Sequence, residues 1–148
     1  MWKFLTRLLI EPRGMNKYKG KTLGWLLKKT EYYFNRYIRL RDAGLPCISC
    51  GCNHFEHATH FYPVRGNPQL RFDEDNVHGG CINCNKYLDG NQWEYGLRLP
   101  MRIGQESFNA LLRRKALADM DTNFKWQRFV VVDKLEYYKQ RCKDLESL

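Results

Sequence analysis

Apolar residues recur at helical spacing near the two ends of this chain and lose that spacing in its middle. Over residues 23–43, Leu23, Leu27, Phe34 and Ile38 fall within one narrow arc of a helical wheel, with Lys28, Lys29, Arg36 and Arg39 opposite. Gly44 and Pro46 close this helix, the glycine as a left-handed cap and the proline as a block. Towards the other end, Val131, Leu135, Tyr138, Cys142 and Leu145 are spaced four, three, four and three, a heptad-like seam on a helix over 129–146. Two shorter helices are predicted, over 91–99 with its end before Pro100, and over 105–115 with Phe108, Leu111 and Leu112 inward. Between 45 and 90 the helical period disappears, and Gly, Asn, Pro, Cys and His accumulate. Short strands are expected there at 56–62 and 69–73, joined by a loop holding Gly66, Asn67 and Pro68, then a short helix from near Cys81 to before Gly90. The fold class is α+β, with a small irregular core flanked by helices.

Charge adds a partner to this picture. The 148 residues, enough for one domain with a modest core, carry a net charge of +9. Residues 1–46 hold eleven Lys/Arg against three Asp/Glu, and the remainder fourteen against thirteen. A basic end on a near-neutral body points to a polyanion, most often nucleic acid. We therefore divide the chain into a basic arm at 1–22 and a single domain at 23–148, made of the 23–43 helix, a 45–90 core and a helical part over 91–148. No apolar run approaches the roughly 20 residues that a bilayer span needs, so no membrane partner is expected. The opening MWKFLTRLLIEPRG is interrupted by Lys3 and Arg7 and lacks a small-residue cleavage site, so it reads as an amphipathic segment of a cytoplasmic protein, and Met15 is a second potential start.

The chemistry lies in the irregular middle. Cys47-Ile-Ser-Cys50 and Cys81-Ile-Asn-Cys84 are two Cys-x-x-Cys turns with thirty residues between them. Two such turns can set four thiolates at the corners of a tetrahedron, which is what a structural zinc ion requires. Cys52 is a spare thiol beside the first turn. A redox site of the thioredoxin kind is disfavoured, because nothing here resembles a βαβ unit. All four histidines, His54, His57, His60 and His78, lie between the knuckles, where zinc leaves them free for other work. Hydrolysis of a phosphodiester needs a base of near-neutral pKa, a hard divalent cation and ligands that hold it with open positions. His60, Asn76 and Asn85 can supply these roles.

These residues also carry a resemblance. A strand histidine, an Asn five residues before a Cys-x-x-Cys, and an Asn directly after it resemble the HNH (ββα-metal) nuclease motif, and the ending is similar to that of phage endonuclease VII. RYIRLRDAGLPCISCG, HATHFYPVRGNPQLRFDEDNVHGGCINCN and DGNQWEY together are similar to the phage NinG/Rap recombination family over roughly residues 34–96. The resemblance implies a zinc-stapled ββα-metal core and a structure-specific DNA endonuclease acting on branched recombination intermediates such as Holliday junctions and D-loops. It makes His60 the general base, Asn76 the residue that pins the loop and orients His60, and Asn85 a ligand for catalytic Mg2+ or Mn2+. Cys47, Cys50, Cys81 and Cys84 would hold the structural zinc.

The chain departs from the HNH pattern at Thr59, where many such sites place an Asp or His ligand. His57, on the same strand face, is the proposed replacement, and His78 is a second candidate for metal or phosphate contact. Asp73, Glu74 and Asp75 could also supply oxygens, whereas His54 reads as a surface residue. Phosphate contacts are assigned to Lys28, Lys29, Arg36 and Arg39, with Arg65 and Arg71 near the cut. A non-catalytic zinc-knuckle module that binds branched DNA is the alternative that Thr59 keeps open. A recombination adaptor using an exposed C-terminal seam is another, and the same seam could support a homodimer or contact other phage recombination proteins.

Overall fold

Helix α1 spans Leu23–Arg41 in the computed structural model, which describes residues 16–148. The amphipathic segment expected at 1–14 lies outside the described residues. Thr22 caps α1, its hydroxyl accepting a hydrogen bond from the Trp25 amide at 3.1 Å. At the other end the Asp42 amide closes onto the Ile38 carbonyl at 3.0 Å. Gly44, at φ +82°, then turns the chain away as expected. The buried face is Leu26, Thr30, Phe34, Tyr37 and Ile38. Leu23 is exposed, so the stripe begins at Leu26 instead.

Helix α4, Arg128–Glu146, buries Val131, Leu135, Tyr138 and Cys142, the seam read from the sequence. Its partner is α1. The Thr30 hydroxyl donates to the Val131 carbonyl at 3.3 Å, the Phe34 and Tyr138 rings lie 4.9 Å apart, and Arg36 pairs with Glu146. These contacts climb both helices together, so the helices run parallel and everything between them is a crossover. The seam is therefore satisfied within one chain, and the exposure that the adaptor or a seam-mediated homodimer would need is not found there. Tyr18, in a short turn at Asn16–Tyr18, joins Leu26, Val131 and Leu135 in this core, so residues 16–22 dock on the domain.

The crossover contains two strands, β1 at His57–His60 and β2 at Val77–Gly80, paired antiparallel with His57 opposite Gly80 and His60 opposite Val77. The second strand was expected at 69–73. That segment instead holds a 3-10 turn at Pro68–Leu70, followed by another at Glu74–Asn76. Leu70 and Phe72 are buried at strand-like alternation, but the short turns deliver them to the core. The real strand, VHGG, has glycines because its neighbours press on it. A Cβ on Gly79 would stand 2.7 Å from the Phe55 ring, and one on Gly80 2.3 Å from the Thr59 hydroxyl.

Helices α2, Gln92–Ile103, and α3, Gln105–Met120, complete the crossover. Ile48, Tyr95, Leu99 and Leu111 form their core, with Phe61 and Phe108 against it. The sequence ends α2 before Pro100; the structure carries it through. Pro100 forfeits one backbone hydrogen bond, but continuing the helix keeps Leu99 fully buried and lets Arg102 donate to the Pro46 carbonyl at 2.9 Å. Leu112, expected inward, is exposed, because Leu111 takes the inward position.

Candidate functional site

One cleft of about 390 Å³ is lined by Thr59 and His60 from β1, Pro63 and Val64 from the next loop, and Asn85, Asp89, Gly90 and Gln92 from the segment after the second knuckle. Asn85 lies within a single turn of π-helix, Asn83–Tyr87, closed by the Leu88 amide on the Asn83 carbonyl at 3.1 Å, and the other three follow it. Asp89 and Asn91 both adopt left-handed backbone angles, φ 46° and 49°, on either side of Gly90. That conformation costs a non-glycine residue about 1 kcal/mol or more, and here it brings Asp89 to the cleft.

His60 sits on the β1 face away from Thr59. Its Nε2 is 3.0 Å from the Arg71 carbonyl. A carbonyl oxygen can only accept, so Nε2 carries the proton and Nδ1 keeps its lone pair. Burial pulls the His60 pKa below the ordinary histidine value, outweighing the Arg71 carbonyl, so the ring is neutral at pH 7. Asn76 is fully buried and fixes the loop between His60 and Arg71. Its Oδ1 accepts from the Tyr62 amide at 2.8 Å, and its Nδ2 donates to the Tyr62 and Leu70 carbonyls at 3.0 and 3.1 Å. Asn85 meets Thr59 directly, its Oδ1 accepting from the Thr59 hydroxyl at 3.0 Å. His60 and Asn85 both line the cleft, while Asn76 lies behind it, holding the loop that follows His60.

His57 and His78 do not reach the cleft. His57 shares the Thr59 face but pairs one step further along the strand, opposite Gly80. His78 is buried, with Nδ1 3.1 Å from the Tyr95 hydroxyl, which itself donates to the Thr59 carbonyl at 3.0 Å. Burial, aided by the Arg41 charge, drops its pKa to about 3, so it is a neutral structural group. The acidic turn is also occupied. Arg114 binds Asp73 at 2.6 Å and Asp75 at 2.8 Å, and Glu74 accepts from the Tyr37 hydroxyl at 2.8 Å. His54 is a surface residue as read, 3.1 Å from Glu56. Asp89 and Gln92 were missed, since no motif marks them and only the left-handed turn brings Asp89 in.

Of the phosphate-contact residues, Lys28, Lys29 and Arg65 are exposed and Arg39 is half-buried. Arg36 is engaged by Glu146. Arg71 is spent inside the fold, paired with Glu31 and lying over the Phe72 ring, so it is not free for phosphate.

The cysteines converge. The sulfurs of Cys47, Cys50, Cys52 and Cys81 all lie within 4.8 Å of one another, and Cys84 belongs to the same buried cluster. Thus Cys52, read as a spare, stands in the tightest set, and Cys84 stands beside it. Backbone amides point at the sulfurs, Cys81 N at Cys47 Sγ (3.3 Å) and Cys84 N at Cys81 Sγ (3.5 Å). Burial disfavours the Cys50 thiolate, but hydrogen bonds from the Cys52 amide and the neighbouring thiols outweigh it and bring the thiol to about 6. Close thiols, amide donors and one readily ionised thiol, Cys50, suit a borderline-soft divalent ion such as zinc, which binds thiolate rather than thiol.

No helix among the described residues is long and apolar enough to cross a membrane. The family model described as bacteriophage Lambda NinG protein matches residues 12–147. The ninG proteins of Escherichia phage 933W and Escherichia phage lambda are each 35% identical to this chain, over 148 and 149 residues, and that of Salmonella phage P22 is 34% identical over 149. Each alignment covers 97% of this chain but 64%, 63% and 64% of the respective relative, so the chain spans somewhat under two thirds of their length. No solved structure matches it. With a match that takes in both knuckles, the strand pair and the two long helices, the chain belongs to the NinG family of bacteriophage proteins.

Proposed function

We propose that this chain is an HNH-like, metal-dependent DNA endonuclease that cuts branched recombination intermediates, Holliday junctions and D-loops among them, in the cytoplasm of a phage-infected cell. The observation that carries this is the state of His60. Its Nε2 proton is committed to a carbonyl, its ring is kept neutral by burial, and its Nδ1 keeps a lone pair, in a residue that lines a cleft rimmed by oxygen donors. The Asn85 amide oxygen and the Asp89 carboxylate suit a hard divalent ion and would hold Mg2+ or Mn2+. Such an ion stabilises charge on the scissile phosphate and the leaving oxygen. His60 takes the proton of the attacking water. Asn76 keeps the His60–Arg71 loop in register. Lys28, Lys29, Arg39 and Arg65 supply backbone contacts, and branch selectivity comes from shape rather than base reading.

Thr59 supports a second reading, a branched-DNA-binding module without catalysis. It binds Asn85 where many HNH sites have a metal-ligating carboxylate or imidazole, and His57 does not line the cleft. Cleavage of a labelled four-way junction against linear duplex, in Mg2+ or Mn2+, separates the two. The nuclease reading expects metal-dependent junction cutting that falls at least about a hundredfold in His60→Ala while junction binding persists. Tight binding with no cutting in either metal would establish the binding module instead.

A further inference from the structure

Five sulfurs occupy a site built for four. Thiolates about 2.3 Å from a tetrahedral zinc stand about 3.8 Å apart. Cys50 and Cys81 already meet that spacing, with sulfurs 3.7 Å apart, and Cys47 is the buried acceptor for the Cys81 amide. These three make a fixed tripod. Two thiols remain for the fourth corner. Cys52 lies within 4.8 Å of all three tripod sulfurs. Cys84 is buried in the same cluster, with a hydrogen-bond donor of its own, Asn91 Nδ2 at 3.6 Å. Neither is excluded by the backbone. The first knuckle is closed by the Cys47 amide on the Cys52 carbonyl at 2.8 Å, which keeps Cys52 folded over the site, and the Gly90 amide on the Cys84 carbonyl at 2.8 Å does the same for Cys84.

We propose that Cys52 and Cys84 compete for one zinc coordination position, giving a tetrathiolate centre with an exchangeable fourth ligand. When Cys84 is bound, the ion holds the turn that carries Asn85, the very next residue. When Cys52 takes its place, that turn is tied to the centre only through Cys81. A fifth thiol thus makes the centre tolerant of losing one ligand and lets it loosen one wall of the cleft without releasing the metal. The exchange stands whether or not the cleft is catalytic, since it concerns only the metal and the thiols.

The test uses the full chain with zinc and, in parallel, with cobalt as a spectroscopic stand-in. Cys84→Ala and Cys52→Ala should each stay folded and keep about one metal ion per chain with the charge-transfer intensity of four thiolates. The double variant should lose stoichiometric metal. On the zinc-loaded parent protein, brief iodoacetamide treatment followed by peptide mass analysis should find the knuckle label divided between Cys52 and Cys84. Loss of metal or of fold in Cys84→Ala alone would overturn the proposal, making Cys84 an obligate ligand. Label confined to Cys52, or a double variant that still holds the ion at full stoichiometry, would overturn it equally.

Discussion

Asn76 makes the sharpest claim on the fold. Its side chain is fully buried and bonds three backbone groups of the 62–70 loop. Of these, the Leu70 carbonyl also accepts from the Asp73 amide at 3.2 Å and would keep a partner. The Tyr62 amide and carbonyl would not. An orphaned buried polar group costs about 1–3 kcal/mol, so Asn76→Ala is predicted to destabilise the zinc-loaded protein by about 3–5 kcal/mol. Asn76→Asp is the control for volume. It keeps the acceptor for the Tyr62 amide but aims a carboxylate oxygen at two carbonyls, so it should be no milder than alanine despite its shape. The assay is urea unfolding followed by circular dichroism, with the slope compared to confirm a common transition. A loss under about 1 kcal/mol in Asn76→Ala, or a clear rescue by Asp, would refute the hydrogen-bond account. The same loop holds the Arg71 carbonyl against His60, so the loop should also become protease-sensitive before the helices do.

Asp42 should show a comparable effect at the other end of β2. It pairs with Arg41 at 2.7 Å and accepts from the Gly79 amide at 2.8 Å, and burial of its carboxyl is outweighed by Arg41, which holds the pKa below the usual value. Asp42→Asn is expected to cost about 3 kcal/mol in denaturant unfolding, because it removes the counter-charge of a half-buried guanidinium, and Asp42→Ala should cost more by also orphaning the amide. Its stabilising effect is present above the unfolded carboxylate pKa and is lost as pH falls through the depressed folded value. His78 gives a second pH dependence at higher pH. With a folded pKa of about 3 against an unfolded value near 6.5, the unfolded chain takes up a proton that the native state refuses, and stability drains as pH falls below about 6.5. Between pH 7 and 5 the stability of the parent should drop about 2 kcal/mol further than that of His78→Gln; equal slopes would show that His78 does not titrate in this way.

The elements that were legible in the sequence are those whose physics is local. The α1 and α4 stripes obey the helical period, Gly44 stops a helix by its own backbone freedom, and knuckle spacing needs only a count. What was misread depends on partners far along the chain. VHGG carries little intrinsic strand preference beyond Val77; its two glycines are required because Phe55 and Thr59 press against backbone where a Cβ would not fit. Pro100 stays helical because Leu99 is buried in the α2–α3 core. The α4 seam announced that it wanted a partner but not that the partner was α1 of the same chain. Arg71 looked like a free cation beside a loop until Glu31, forty residues upstream, took it. His60, Asn76 and Asn85 were marked by a motif in the sequence, and two of them, His60 and Asn85, line the cleft, whereas the Thr59–Asn85 contact and the arrival of Asp89 require knowing that β1 lies against the turn after the second knuckle.

The geometry of the cleft follows from how β2 is held, because this four-residue strand places a single apolar side chain, Val77, in the core. One grip comes from the end of α1. Arg41 donates to the Glu74 carbonyl at 3.0 Å and the Val77 carbonyl at 2.8 Å, while Asp42 takes the Gly79 amide. The other comes from the cysteine cluster, which flanks β2 at Cys81 and reaches its middle through the Ile48 amide on the Gly79 carbonyl at 2.9 Å. A four-residue strand clamped at both ends has one register, and a one-residue slip would exchange the faces of Thr59 and His60. Register is therefore what puts a hydroxyl on Asn85 and an imidazole on the Arg71 carbonyl at once. The parallel α1–α4 pair supplies the first clamp from a large apolar interface. The second depends on cysteine sulfurs close enough to share one metal ion. A site of this size gets its precision from two anchors of different chemistry, and the cysteines matter to the cleft because they are one of them.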